Sequence, residues 1–295
     1  MKAFVSACAA VALVAGMSAA SGNLSTASAQ TSEASEKFDL NGVWKVSSDA
    51  YFDLEAHAAK PAMQTIEGPY GPVPDRRVLA LGALGAVPAN QSVVSTGTIP
   101  YTEEALAQRD ENAKNWITSD PNIKCYQPGV PRATYMPYPF RIIMNEEQEQ
   151  MLIAYEYAGA VRNVFLGENP GEAPLDSWMG QSWGYWDGDS FVIEVEWQNG
   201  QTWLDRAGNF LPYGAKVVER YTPVTENHVR YEATITEPET FTEPFTISLM
   251  LYRQMEEDAQ IMDFNCVAFV EELLHGQLRK NPLQKPVEPP ETGGN

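Results

Sequence analysis

The chain has 295 residues, 44% of them hydrophobic, and carries 39 Asp and Glu against 20 Lys and Arg, a formal net charge of −19 at pH 7. That length suits one large or two small domains. Such an acidic chain repels phosphate backbones and anionic lipid, which argues against nucleic-acid binding. The three histidines, His57, His228 and His275, are scattered, and there is neither C-x-x-C nor H-E-x-x-H, which argues against a metal centre.

Met1-Lys2 opens a leader. The apolar run from Ala3 to Met17 falls short of the about 20 residues that a bilayer span needs. Ala27-Ser28-Ala29 has the form that signal peptidase cuts, so residues 1–29 read as a signal peptide and the product as periplasmic or secreted. Ala19-Ala20 is a weaker cut. No later run reaches 18 apolar residues, so no integral membrane segment is expected. Residues 30–37 read as a flexible N-terminus. Residues 38–280 show neither linker nor repeat and read as one domain. Residues 281–295, rich in Pro and Gly, read as a disordered tail.

Val43 to Ser47 reads as a strand and Gly68 to Asp75 as a loop. A helix opens at Thr102-Glu103-Glu104, carries Ala105, Leu106, Ala113 and Trp116 at helical spacing, and ends before Asp120-Pro121. From Phe140 the period shifts towards two. Strands are expected near 140–144, 150–157, 161–166, 182–187, 190–197, 215–222, 228–235, 245–253 and 260–267. Asp187-Gly188-Asp189 is a tight turn, and 146–149 and 224–227 read as hairpin loops. Phe191, Ile193 and Val195 share a face, as do Val229, Tyr231, Ala233 and Ile235. Val270 to Leu274 reads as a short C-terminal helix, with His275 at its end.

A meander this long tends to close, because closure removes the exposed edges. Gly42-Val43-Trp44 resembles the G-x-W of lipocalins and other calycins. There the Trp plugs the closed end of an eight-stranded barrel, often beneath an arginine from a late strand. Arg253 fits that place. The expected fold is therefore mainly β: an antiparallel meander closing into a calycin- or lipocalin-like barrel, with one helix in the N-terminal half and a short C-terminal one.

Four stretches carry a wider resemblance. The first is Gly97-Thr98-Ile99-Pro100-Tyr101-Thr102. The second is Asp120-Pro121, then Cys125-Tyr126-Gln127-Pro128-Gly129-Val130-Pro131-Arg132 and Pro137-Tyr138-Pro139-Phe140. The third is Tyr155-Glu156 with Arg162. The fourth runs from Ser177 through Trp178 and Gly180 to Trp186-Asp187-Gly188-Asp189, then Thr202-Trp203-Leu204-Asp205 and Val217-Val218-Glu219-Arg220. The chain resembles a family of secreted bacterial proteins known by these motifs and not by an activity. The resemblance implies export and a mainly β fold, and supplies no reaction. Relatives often carry Pro-His-Ser where this chain has Phe210-Leu211-Pro212-Tyr213, so chemistry using that histidine is absent or relocated here.

Trp178, Trp183, Tyr185, Trp186, Trp197 and Trp203 cluster in the sequence, with Tyr126, Tyr135, Tyr138 and Phe140 upstream. Such density builds either a pocket for a flat ligand or a core of large residues. The candidate ligand-binding residues are Arg132, Tyr135, Tyr138, Arg141, Arg162, Trp178, Trp183, Tyr185 and Trp203. Glu156, Tyr155, Glu232 and Asp205 are the candidate acid–base groups, since a carboxylate inside an apolar barrel gains basicity. Glu219 and Arg220 belong to the same inventory of strand-borne charges, and read either as part of that acid–base set or as an ion pair at the surface or the rim. Cys125 and Cys266 form either one disulfide or two buried thiols. No G-x-S-x-G, P-loop, strand-borne G-x-G-x-x-G or C-x-x-C-H is present, so no nucleotide, flavin, nicotinamide or haem cofactor is expected. The leading expectation is a binder of a small apolar or aromatic molecule in the barrel interior. The alternative is a cofactor-independent lyase or isomerase acting on an aromatic or terpenoid-like compound. A third is an envelope protein with a filled core.

Overall fold

The period-two segments after Phe140 do wrap into a closed wall. In the computed structural model the strands are β1 Gly42–Val46, β2 Lys60–Pro61, β3 Thr65–Gly68, β4 Gly71–Pro74, β5 Ala86–Val87, β6 Phe140–Asn145, β7 Gln150–Tyr155, β8 Val161–Leu166, β9 Gln181–Asp187, β10 Ser190–Glu196, β11 Lys216–Thr225, β12 His228–Thr236 and β13 Phe245–Arg253. Nine of them form a barrel in the order β1-β13-β12-β11-β10-β9-β8-β7-β6, and β6 pairs back onto β1. The structure describes residues 37–61, 65–68, 71–74 and 86–270. Phe38 onward forms one unit. The expected signal peptide, the tail, and the C-terminal helix beyond Val270 with His275 lie outside the described residues.

The expected antiparallel meander holds except at β8 and β9, which run parallel, with Val164 opposite Ser182. The connection 167–180 returns the chain to the end where β8 began, so β9 starts in the same direction. This makes nine strands where lipocalins have eight. Two expectations are corrected. Residues 260–267 form no strand, because β1 already pairs with both β13 and β6 and leaves no edge to join. Gly68 and Gly71–Pro74, within the stretch read as loop, belong to the paired strands β3 and β4. Among the described residues no helix is long and apolar enough to cross a membrane.

One end of the barrel is made of hairpins and is closed by Trp44. Its indole N–H donates to the Leu40 carbonyl at 2.8 Å, and the Arg253 guanidinium lies 4.3 Å from its ring centroid. That guanidinium also donates to the carbonyls of Asp39 and Asn41. A cation held over an indole face is attractive, and here it seals the end the G-x-W motif predicted. Gly42 suits the place beside it: its φ of +130° is one that L side chains rarely adopt, and a Cβ there would also sit 2.9 Å from the arginine's Nη1.

The other end carries the loops. Helices α1 Glu103–Lys114 and α2 Trp116–Ser119, a 3-10 turn at Pro121–Lys124 and the single turn α3 Arg132–Tyr135 lie there. The Thr102 hydroxyl accepts the Ala105 N–H and caps α1, in line with the helix expected from Thr102 onward. Inside the wall, Phe140, Tyr155, Phe191, Tyr221, Tyr231 and Phe245 each expose at most 2% of their surface. Gly184 faces inward so that the Phe191 ring can lie across it, 2.7 Å from where a Cβ would be. The interior is filled by side chains.

Candidate functional site

A polar cluster sits at the centre of this packed interior. Arg162 on β8 and Glu219 on β11 form an ion pair with both side chains at most 1% exposed. Each is inward by strand parity: Arg162 faces Ile153, and Glu219 lies between Ile193 and Ala233. The Tyr231 hydroxyl donates to Glu219 at 2.7 Å and the Tyr221 hydroxyl at 3.3 Å. Arg162 also reaches the Tyr155 hydroxyl at 3.4 Å. Burial pushes the pKa of all three phenols up, and the Glu219 charge adds to it, so they remain neutral donors. Thr134 on α3 brings its hydroxyl beside the same phenols without meeting hydrogen-bond geometry.

The turn that carries Thr134 plugs the loop end. Asp120 receives both Nη groups of Arg132 at 2.8 Å, and the pair is buried. Such a two-pronged contact fixes orientation as well as charge. The Tyr135 hydroxyl donates to the Leu204 carbonyl at 2.8 Å. Next to it, the Asp205 carboxylate accepts from the backbone of Leu54, Ala207 and Asn209 and from the Asn209 side chain, at 2.6 to 3.2 Å. Burial, reinforced by Asp53, pushes Asp205 up to about 7, while these donors pull the other way. A carboxyl raised above its ordinary 3.8 holds its proton more firmly folded than unfolded. Its contribution is therefore full below about pH 4 and is lost as the pH rises through about 7. Urea midpoints of the wild type should fall more steeply between about pH 5 and about pH 8 than those of Asp205→Asn. Parallel profiles would remove Asp205 from the pH dependence.

Beside the plug opens a half-enclosed recess of about 250 Å³. Tyr138, Tyr157 and Phe264 form its aromatic wall, with ring centroids 4.8 to 5.7 Å apart. The Tyr157 hydroxyl donates to the Asn122 carbonyl at 2.7 Å, and burial pushes its pKa up to about 12. Arg206 and Tyr51 also line the recess. The Arg206 guanidinium lies 5.3, 5.4 and 5.5 Å from the rings of Tyr51, Phe52 and Trp116. Asn265, Cys266, Val267 and Val270 line the recess as well, on a segment joined to the body by the Cys125–Cys266 disulfide. The Phe269 N–H donates to the Ile123 carbonyl and the Met262 N–H to Glu156 Oε2, each at 2.8 Å.

The residues singled out in the sequence separate into these places. Tyr155 and Arg162 meet in the interior. Arg132, Tyr135 and Asp205 build the plug, with Trp203 bridged to Phe210 beside it. Tyr138 lines the recess. The others do not converge with them. Glu156 is at the rim, holding Met262. Glu232 lies opposite Arg220 on the outer face, since Tyr231 and Ala233 point in. Arg141 is exposed. Trp183 is on the outer face beneath Lys216, and the outward Tyr185 donates to Glu194 at 2.9 Å. Trp178 stacks on Tyr126. The expected Glu219–Arg220 pair does not form: adjacent strand residues point to opposite faces, so Glu219 meets Arg162 inside while Arg220 meets Asp187 outside. Sequence reasoning missed Tyr221, Arg206 and the role of Glu219. Among the described residues no group of three or more His, Cys, Asp or Glu side chains could hold a metal ion. No protein-family model, curated protein or solved structure matches this chain.

Proposed function

We propose that this chain is an exported barrel protein that binds a small apolar or aromatic molecule, and that the molecule sits in the loop-end recess. The observation that carries this reading is a preformed, half-enclosed cavity walled by three mutually packed rings. Concave apolar sites with a few polar groups are where small molecules bind. The barrel interior, by contrast, is occupied by its own side chains, and a ligand there would have to displace them. Native mass spectrometry of protein from its own periplasm should show a co-purifying small molecule. Phe264→Ala should weaken its retention about tenfold or more. Loss of the molecule on Tyr155→Phe, with Phe264→Ala unaffected, would move the site into the barrel instead.

The Arg162–Glu219 cluster supports a second reading, a cofactor-independent lyase or isomerase. A carboxylate beside three neutral phenols is a set that can take and return a proton. In that reading Glu219, not the outward Glu232 or the rim residue Glu156, is the base, and α3 has to lift for substrate to reach it.

A further inference from the structure

We infer that two copies of this chain associate through the outer face of β6, β7 and β8, head to tail about a two-fold axis. Charge singles out this face. The chain holds 39 Asp and Glu against 20 Lys and Arg, so two copies repel one another over most of their surface. The outward positions of β10 to β12 are thick with charge: Glu194, Glu196, Lys216, Arg220, Arg230 and Glu232. The outward positions of β6 to β8 are all described and hold no carboxylate. Ile143, Val161 and Phe165 stand there 46%, 51% and 50% exposed, with Leu152 and Ala154 half-buried between them. Here two such acidic chains can touch without setting like charges opposite, and a contiguous exposed apolar face marks an interaction site.

Strand pairing fixes the layout of the face. Ile143, Leu152 and Asn163 lie in one row across the three strands. About 7 Å towards the loop end lies the row of Arg141, Ala154 and Val161, and as far towards the hairpin end lies the row that finishes in Phe165. A two-fold axis along the middle row sets each of its side chains against its own copy, and Val161 against Phe165. It also brings Arg141, near the start of β6, to the far end of the other copy's β6, where the exposed Glu147 and Glu149 sit in the hairpin. The face is therefore complementary to itself, as an isologous contact has to be, and the arginine-to-glutamate contact is made twice. Size sets the strength. Three strands of six residues cover roughly 300 Å², well under the about 800 Å² per partner of a standard interface. The dimer is accordingly weak and concentration-dependent, with a dissociation constant of about 10 to 100 µM.

Sedimentation equilibrium of the protein from about 1 to about 500 µM tests this, with the mass expected to move from monomer towards dimer. Phe165→Glu, which plants a carboxylate in the acid-free face, should weaken association about tenfold or more, while Ser248→Glu on the outward face of β13 should change it by less than about twofold. Arg141→Glu and the double variant Glu147→Lys/Glu149→Lys should each also lose about tenfold or more. An equimolar mixture of those two should recover association, because a mixed pair sets opposite charges together at both contacts. All of these side chains are exposed, so the variants should match the wild type in urea unfolding. A mass that stays monomeric over the whole range overturns the proposal, whether the face is then bare or taken by another molecule. A dimer that Phe165→Glu and Arg141→Glu leave intact places the contact elsewhere and overturns it too. A mixture no tighter than its separate components overturns the two-fold arrangement.

Discussion

Glu219→Leu is expected to destabilise the barrel by about 3 to 5 kcal/mol, and the double variant Arg162→Met/Glu219→Leu by much less. The single change leaves the Arg162 guanidinium in a site with almost no exposure, without the carboxylate that holds it. Guanidinium does not shed its proton in proteins, so the charge stays and its desolvation is uncompensated. It also removes the acceptor of the Tyr231 and Tyr221 hydroxyls. Arg162→Met is expected to cost less than Glu219→Leu. The carboxylate it leaves keeps two phenol donors, and a lone carboxyl can take up a proton where a guanidinium cannot lose one. In the double variant two apolar side chains of similar length replace the pair, and only the phenols lose a partner. Urea unfolding of the four proteins gives the interaction energy as a double-mutant cycle. A double variant as unstable as the sum of the singles would show that the pair is not the unit of stability.

Why Glu219 was passed over in favour of Glu156 and Glu232 follows from how much of this fold strand periodicity conveys. Phe191, Ile193 and Val195 alternate with Val192, Glu194 and Glu196, so β10 and its inward face could be read from the two glutamates, and β12 likewise through Val229 to Ile235. Asp187-Gly188-Asp189 fixed a turn by backbone chemistry. Gly42-x-Trp44 identified the sealed end, and Arg253 could be assigned above the indole because the resemblance to calycins puts an arginine from a late strand there. The disulfide was one of two readings for Cys125 and Cys266, and it is the one that forms. Parity fails where both faces are mixed. On β8, Val161 and Phe165 point out while Arg162 and Val164 point in, so apolar character marks neither side. On β11, Glu219 breaks an inward row of Val217 and Tyr221 and looks like the partner of the neighbouring Arg220. The carboxylates preferred in its place, Glu156 and Glu232, differ from it only in which way the backbone turns them. The recess was not legible at all. Tyr51, Asn122, Tyr157, Arg206 and Phe264 come from five separate loops, and nothing local in any of them shows that they meet. Residues 260–267 were expected as one more strand, but barrel closure through β1 and β6 left that segment no edge to join, and it contributes Phe264 to the recess.

Removing the disulfide, by Cys125→Ser/Cys266→Ser or by reduction, is expected to lower global stability by about 5 kcal/mol on the chain-entropy estimate for its sequence separation of 141. The loss should not be uniform. The barrel closes through β1, β6 and β13 without any help from residues 254–270, so the native wall does not depend on the bond. The segment does. Between Gln254, whose N–H donates to the Val43 carbonyl, and Phe269, it is tied to the body by the Met262 and Phe269 amides, by Phe264 among Tyr138 and Tyr157, and by the disulfide. A neutral hydrogen bond contributes about 0.5 to 1.5 kcal/mol and one to a charged group about 1.5 to 3, so the Phe269 amide, the Met262 amide on the Glu156 carboxylate and one ring hold it less firmly than the covalent link. Without that link, opening of the segment becomes a local event, well below global unfolding in free energy. Hydrogen exchange at the Met262 and Phe269 amides should then accelerate by more than exchange in β11 and β12, measured where the barrel is still fully folded. Because Phe264 is a wall of the recess, retention of a small molecule there should weaken once the open segment becomes populated. Equal acceleration throughout the barrel would show that the bond stabilises only the whole. Unchanged exchange at Met262 and Phe269 would show that packing alone keeps the recess shut.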